Sequence, residues 1–189
     1  MKKGLKVQSG SLKGRTISIP EKLKSHQNFT SSMVKEAIFS ILESYDLQGQ
    51  ISKKDSLFVD LFAGSGQIGL EAISRGFQKC IMYEVSKERF SHLANNLSEY
   101  NESITLYNKD AFRLSLSNQT EAFETVVYFL DPPYSFWESK EHEIYNLVEN
   151  IFEAGLNQKI VIIQSPRKVE WKDFQIKSYG NTHLLIHAN

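Results

Sequence analysis

The sequence predicts an α/β fold built on a doubly wound sheet that is mostly parallel, with one antiparallel strand near the C-terminus. Short apolar runs alternate with segments of helical periodicity along most of the 189 residues. This alternation is typical of parallel strands that helices cover on both faces. The last two runs, Phe174–Ser178 and His183–His187, flank Tyr179-Gly180-Asn181-Thr182, which indicates a hairpin that makes one edge antiparallel.

The chain is predicted to fold as a single domain, residues 1–189, with an N-terminal extension and a core. Residues 1–45 form the extension, a basic hairpin with strands at Leu5–Val7 and Arg15–Ile19 and then an amphipathic helix at 31–43. Residues 46–189 form the core. Its parallel strands are expected at Leu57–Leu61, Cys80–Tyr83, Thr105–Tyr107, Val126–Leu130 and Ile160–Ile163, and its helices at 67–75, 86–100, 111–118 and 138–154.

Composition limits the class of protein. The chain is 41% hydrophobic, but no stretch reaches the ~20 apolar residues of a membrane span, so we expect a cytoplasmic protein without a membrane partner. Cys80 is the only cysteine, which excludes a disulfide framework. The histidines are scattered without the spacing of metal ligands, so no metal site is predicted.

The net charge of the chain is zero, but basic residues are concentrated near the N-terminus, and this distribution favours an anionic partner. A local basic arm can contact phosphates even in a neutral protein. A solvated end that improves solubility is the alternative explanation. Glu21 is the only acidic residue among the first 24. The basic residues there are Lys2, Lys3, Lys6, Lys13, Arg15, Lys22 and Lys24.

A glycine turn follows the first core strand. In the stretch Asp60–Gly69, Gly64 and Gly66 would let the backbone approach a ligand closely, and Gly69 would let the next helix pack near the sheet. Glu84 ends the second core strand, where a carboxylate can accept hydrogen bonds from ribose hydroxyls. Both a nicotinamide-dependent oxidoreductase and a methyltransferase show this pattern, and an ordinary tight turn is the third possibility.

Asp60 separates the two enzyme classes. A pyrophosphate is anionic and binds backbone N–H groups at a helix N-terminus, so a carboxylate just ahead of the glycines has no role in binding it. A sulfonium or an ammonium group is cationic and would be stabilised there. After the third core strand, Asp110 could hydrogen-bond an adenine amino group with Phe112 near the ring, or it could cap the following helix.

The segment Asp131-Pro132-Pro133-Tyr134 follows the fourth core strand directly. Two prolines make this turn stiff and remove two N–H donors, so it presents carbonyl oxygens. Hydrogen-bond acceptors that bind the N–H groups of an exocyclic base amine would reduce the conjugation of its lone pair with the ring. The nitrogen could then attack a methyl group. Tyr134 could stack on a base swung out of its helix, with Phe136 as a further wall. A rigid turn without chemistry is the alternative.

These motifs resemble those of the bacterial 16S ribosomal RNA guanine-N2 methyltransferases, which have a Rossmann-like fold. The resemblance runs from about residue 6 to residue 164. It is carried by Ser9–Arg15 near the N-terminus, by Val34–Phe39 in the following helix, and by the stretches 60–66, 69–72 and 74–76.

The resemblance implies methyl transfer from S-adenosyl-L-methionine to a guanine N2 in 16S rRNA, within the small ribosomal subunit or an assembly intermediate. We expect the enzyme to act as a monomer. The residues expected to bind the cofactor are Asp60, Ala63, Gly64, Gly66, Glu84, Asp110 and Ala111. The expected catalytic residues are Asp131, Pro132, Pro133 and Tyr134, and those expected to contact RNA are Lys13, Arg15 and Phe136.

One stretch departs from the family pattern. The family usually has Arg-Pro-Thr before the first helix and an Asp and an Arg just after it, whereas this chain reads Asn28-Phe29-Thr30-Ser31-Ser32-Met33. The missing arginines leave open a weakened activity or a different target. The alternatives are therefore an adenine- or cytosine-N methyltransferase acting on DNA or RNA, and a non-catalytic RNA-binding relative.

Overall fold

The computed structural model describes residues 4–18, 30–114, 120 and 122–189. Two short strands, β1 (Leu5–Lys6) and β2 (Thr16–Ile17), pair antiparallel as the predicted N-terminal hairpin. The strands of the main sheet are β3 (Ser56–Asp60), β4 (Lys79–Tyr83), β5 (Ile104–Tyr107), β6 (Thr125–Leu130), β7 (Gln158–Ser165), β8 (Gln175–Tyr179) and β9 (Thr182–Ala188).

The main sheet has the strand order β5-β4-β3-β6-β7-β9-β8. Strands β3 to β7 pair in parallel, and β9 lies antiparallel between β7 and β8. The prediction of a mostly parallel sheet with one antiparallel strand is therefore confirmed. The sheet extends from β3 to β5 on one side and from β6 to β7 on the other, so the strand order reverses between β3 and β6. The carboxyl ends of these two central strands therefore border a crevice, and open α/β sheets bind ligands in such a crevice.

Helices cover both faces of the sheet, as a doubly wound fold requires. One apolar cluster packs α1 (Ser32–Leu47), α2 (Gln67–Ser74) and α3 (Lys87–Asn96) on one face, together with the hairpin. The other cluster packs α4 (Phe136–Ser139) and α5 (Glu141–Glu153) on the opposite face. None of the helices in the described ranges is long and apolar enough to cross a membrane.

Two helix predictions need correction. The helix expected at 111–118 is a single 3-10 turn, Ala111–Arg113, which ends where Leu114 becomes extended. Residues 115–119 lie outside the described ranges. The helix expected at 138–154 is split in two at Lys140, whose φ of −139° is not helical.

The N-terminal hairpin is fixed to α2 by buried polar contacts. Glu71, fully buried, accepts hydrogen bonds from the backbone N–H groups of Gln8 and Ser9 at 2.8 and 3.0 Å. Gly10 has a φ of 83°, and a Cβ there would lie 1.8 Å from the carbonyl oxygen of Ser74. Only glycine fits that position, so the hairpin is seated on the helix closely and in one register.

Candidate active site

A cavity of about 530 Å³ opens at the carboxyl ends of β3, β4, β5 and β6. Its size is within the range of small-molecule sites, roughly 300–1,000 Å³. The predicted cofactor and catalytic residues that line it are Asp60, Ala63, Gly64, Glu84, Asp110, Ala111, Asp131, Pro132, Pro133 and Tyr134. Residues predicted from separate motifs thus meet in one place, because parallel strands end at a shared edge.

The glycine turn is anchored by the acid at the end of the neighbouring strand. Glu84 accepts hydrogen bonds from the N–H of Gly64 at 3.0 Å and from that of Ser86 at 2.8 Å. Gly66, with a φ of 75°, begins α2, and a Cβ there would lie 2.6 Å from Leu93. Gly66 therefore allows the turn to pack closely against Leu93, whereas Gly64 lines the cavity.

Asp60 is the most buried carboxylate of the cavity, with an exposure of 1%. Burial raises its pKa to about 8, with smaller upward contributions from the nearby Asp131 and Glu84. The backbone N–H of Phe62 donates to it at 3.3 Å and opposes this rise. In the described part of the chain no cation forms an ion pair with Asp60. A cationic ligand would relieve the mutual repulsion of these three acids.

Asp131 lies directly after β6 and is partly buried at the cavity wall. The hydroxyl of Thr30 donates to its Oδ2 at 3.1 Å. Burial raises the pKa of Asp131 to about 7, and the hydrogen bond from Thr30 opposes this shift. Its second carboxylate oxygen, Oδ1, has no hydrogen bond to the rest of the described chain.

The two prolines after Asp131 differ in what their carbonyl groups do. The carbonyl oxygen of Pro133 accepts a hydrogen bond from Phe136 N–H at 2.8 Å, and that of Tyr134 accepts from Trp137 N–H at 3.1 Å, so both are used in the turn leading into α4. No donor among the described residues reaches the carbonyl oxygen of Pro132. Oδ1 of Asp131 and the carbonyl of Pro132 are thus two acceptors available to an incoming amine.

An aromatic wall borders the cavity between the glycine turn and α4. The ring centroids of Phe62 and Phe112 are 5.7 Å apart, and those of Phe112 and Phe136 are 5.9 Å apart. Lys140 Nζ lies 5.0 Å from the Phe136 centroid and 5.4 Å from that of Phe112. Asp110, at the foot of this wall, accepts from Phe112 N–H at 3.1 Å, so its predicted capping role is present.

The predicted RNA-contacting residues are placed differently. Phe136 lines the cavity, whereas Lys13 and Arg15 lie in the hairpin and do not. Arg15 is exposed and pairs with Glu99 at 2.6 Å. Lys2, Lys3, Lys22 and Lys24 of the basic arm lie outside the described ranges, as does Asn28.

Sequence reasoning missed several side chains of the cavity. Thr30 and Lys140 belong to it, as do Arg89 and Lys109 at its edge. Thr30 could have been found, because it keeps the threonine of the family's Arg-Pro-Thr segment. Lys140 gives no signal in the sequence, since the break between α4 and α5 that places it was not predicted.

The carboxylates and aromatic rings that line this cavity fit a cationic cofactor with a nucleoside group better than they fit a dinucleotide. Four carboxylates line the space, namely Asp60, Glu84, Asp110 and Asp131, and burial raises the pKa of Asp60, Glu84 and Asp131 because it disfavours their charged forms. A pyrophosphate would disfavour the charged forms of Asp60, Glu84 and Asp131 still further. A cationic group would instead stabilise their ionised forms, and the aromatic wall offers a surface on which a purine can stack.

Comparison with known proteins agrees with this chemistry. The family model described as "Conserved hypothetical protein 95" matches residues 5–188. The ribosomal RNA small subunit methyltransferase D of Buchnera aphidicola is 33% identical over 167 aligned positions, covering 86% of this chain and 78% of that protein. The Bacillus subtilis protein YlbH is 31% identical over 196 aligned positions, covering 97% of this chain and 98% of its own.

Among solved structures, the Escherichia coli protein yhhF superposes with a TM-score of 0.73 at 21% identity and covers 98% of each chain. At that identity the likeness concerns the fold, and it confirms the predicted Rossmann-like sheet. The family match spans nearly the whole chain and includes the hairpin as well as the core. The chain therefore belongs to the family described as conserved hypothetical protein 95, a family of bacterial rRNA methyltransferases.

Proposed function

We propose that this enzyme methylates the exocyclic N2 amino group of a guanine in 16S rRNA, within the small ribosomal subunit or an assembly intermediate, and that it acts as a cytoplasmic monomer. S-Adenosyl-L-methionine is the methyl donor. The observation that carries the proposal is the meeting of Asp131 and Pro132 with Asp60 and Glu84 in one cavity.

The cofactor-binding residues divide by chemistry. S-Adenosyl-L-methionine supplies a methyl group on a positively charged sulfur. Asp60 would stabilise cationic groups of this ligand, and Glu84 would accept hydrogen bonds from its ribose hydroxyls. Asp110 and Ala111, beside Phe112, would hold the adenine. Ala63 and Gly64 would let the backbone approach the ligand, because neither places a large side chain in the cavity.

The target amine would meet the two open acceptors. An exocyclic amine is planar because its lone pair is delocalised into the ring, and it must lose that conjugation to attack carbon. Hydrogen bonds from its two N–H groups to Asp131 Oδ1 and to the Pro132 carbonyl favour the tetrahedral nitrogen. Pro133 keeps the segment stiff, so that both oxygens stay in place.

The base needs to leave its helix to enter a cavity at this depth. Tyr134 and Phe136 offer aromatic surface on which a flipped guanine can stack, which contributes roughly 1–3 kcal/mol per base. Lys13 and Arg15 lie further out and would contact phosphates of the surrounding RNA. That contact would require Arg15 to exchange its exposed pairing with Glu99 for a phosphate, which costs little because such pairs are weak.

Small-subunit rRNA is favoured over DNA because the relative from Buchnera aphidicola is named a ribosomal RNA small subunit methyltransferase, and the choice of guanine N2 rests on the resemblance of the sequence motifs to guanine-N2 methyltransferases. The open acceptors themselves would serve any of the three bases. A non-catalytic relative is disfavoured, since Asp131 and Pro132 both line the cavity beside the residues proposed to bind the cofactor. A nicotinamide-dependent oxidoreductase is disfavoured by Asp60, because a pyrophosphate would disfavour the ionised form of this carboxyl still further.

The test is transfer of label from radioactive S-adenosyl-L-methionine to small ribosomal subunits of a strain that lacks this methylation. We expect label in 16S rRNA, in N2-methylguanine after nuclease digestion. Asp131→Ala should abolish transfer, while Asp55→Ala, an exposed acid before β3, should keep it. Label in adenine or cytosine would contradict the proposed target, and full transfer by Asp131→Ala would contradict the proposed chemistry.

A further inference from the structure

We propose that Thr30 is a positioning residue for methyl transfer, whose hydroxyl holds Oδ2 of Asp131 and thereby aims Oδ1 at the target amine. The inference deepens the proposed function and rests on it for the identity of the amine. Thr30 lies 101 residues from Asp131 in sequence, and its Oγ1 donates to Oδ2 at 3.1 Å. The contact joins the N-terminal extension to the catalytic segment.

A short chain of contacts holds Thr30 in place. Ser31, the next residue, is the N-cap of α1, and its side chain accepts a hydrogen bond from Val34 N–H at 3.2 Å. One turn further, Lys35 is fully buried, donates to the carbonyl of Lys6 at 3.0 Å and pairs with Glu71 at 3.3 Å. The start of α1 is therefore fixed to the rest of the protein, and Thr30 with it.

The hydrogen bond matters because a carboxylate at the end of a strand can rotate. Oδ1 accepts a hydrogen from the amine only if it points into the cavity beside the Pro132 carbonyl. A donor on Oδ2 removes the freedom to rotate and also favours the ionised form, the form that accepts. Burial raises the pKa of Asp131 to about 7 even though the Thr30 hydroxyl opposes that rise.

The first experiment compares Thr30→Val, Thr30→Ser and the control Ser31→Ala. Thr30→Val should lower kcat about 10- to 100-fold, as expected when a reacting group loses its alignment by about 1 Å. KM for S-adenosyl-L-methionine should stay unchanged. The acidic limb of the pH profile of kcat should move to higher pH, because the ionised carboxylate has lost a donor.

The other two variants separate positioning from support of the fold. Thr30→Ser keeps the hydroxyl and should restore both the rate and the position of the acidic limb. Ser31→Ala removes the helix cap next to Thr30, so it should lower the melting temperature slightly. It should leave the acidic limb where it is, because the contacts of Lys35 with Lys6 and Glu71 still fix the start of α1. A wild-type pH limb in Thr30→Val, or an equal shift in Ser31→Ala, would overturn the proposal.

A second measurement needs no activity. The carboxyl carbon of Asp131 can be titrated by NMR in protein labelled at aspartate, with Asp131→Asn to assign the signal. We expect the pKa of Asp131 to rise in Thr30→Val and to return in Thr30→Ser. Unchanged titration would overturn the role of Thr30, whereas an inactive wild-type enzyme with the expected titration would refute only the guanine-N2 assignment.

Discussion

Glu71 under the N-terminal hairpin and Asp60 at the end of β3 are both almost completely buried carboxylates, with exposures of 0% and 1%. Their surroundings are opposite. Asp60 has one backbone N–H donor and two neighbouring acids. Glu71 has four partners, namely the N–H groups of Gln8 and Ser9 and the cationic groups of Lys35 and Arg75.

This difference in partners distinguishes a cluster that stabilises the fold from a site that binds a ligand. Among the described residues, Lys35, Glu71 and Arg75 each pair with an opposite charge, since Arg75 also pairs with Glu36 at 2.5 Å, and the cluster fixes the extension to α2. In the cavity the acids are held together at a cost, because burial and mutual repulsion disfavour their charged forms. Buried carboxylates with raised pKa values are typical of a functional site, here one that would bind a ligand of opposite charge.

The largest expected effect is on the paired cluster. Glu71→Ala leaves the buried Lys35 without its counter-ion and two N–H groups without an acceptor, so unfolding free energy should fall by about 3–5 kcal/mol. Urea denaturation measures it. Glu36→Ala is the control, since its exposed carboxylate should contribute at most about 1 kcal/mol. Equal losses in the two variants would show that burial does not distinguish these acids.

Asp60→Asn should weaken cofactor binding without unfolding the protein. Removing one partner of a buried charge pair costs about 2–5 kcal/mol, so affinity for S-adenosyl-L-methionine should fall roughly 30-fold or more. Isothermal titration calorimetry gives the dissociation constants, with Asp55→Asn as an exposed control. Wild-type affinity in Asp60→Asn would contradict the assignment of Asp60 to a cationic ligand.

The same substitution should stabilise the protein at alkaline pH. The pKa of Asp60 is raised in the folded state, from 3.8 to about 8, so between these values the folded state binds the proton and the unfolded state does not. Stability from this group therefore falls as pH rises. The gain from Asp60→Asn should grow from pH 4 to pH 8 and reach at least about 1 kcal/mol, or roughly 2–4 °C in Tm. A gain that does not depend on pH would refute the shifted pKa.

The smallest effect is expected at the surface. Arg15→Ala breaks the exposed pair with Glu99, and exposed pairs contribute about 0.2–1 kcal/mol, so Tm should hardly change. KM for the ribosomal substrate should rise, and the rise should be larger at low salt than at high salt. Lys54→Ala, before β3, is the matched control. No change in KM would remove Arg15 from the RNA-contacting residues.

The sequence was most informative where local pattern and topology coincide. Asp60, Glu84 and Asp131 each follow an apolar run, and parallel strands bring such positions to one edge. Contacts between distant segments gave no signal of this kind. The pairing of Lys35 with Glu71 is hidden because a lysine on a helix is normally solvated, and the Thr30–Asp131 bond depends on how α1 packs.

Local propensity also misled at two positions. The stretch after Asp110 begins with a capping aspartate, but its described residues form only a 3-10 turn, since Leu114 is already extended. Lys140 shows the converse, because a good helix former interrupts the chain between α4 and α5. This interruption places a cation over the aromatic wall.

The proton balance of cofactor binding tests the contrast between the two clusters most directly. With pKa values of about 8 and 7, Asp60 and Asp131 hold protons near pH 7, and a cationic ligand favours their ionised forms. Calorimetry at pH 7 in two buffers of different ionisation enthalpy should therefore show release of on the order of one proton when S-adenosyl-L-methionine binds, much reduced in Asp60→Asn. Binding without proton release in the wild-type enzyme would contradict the account.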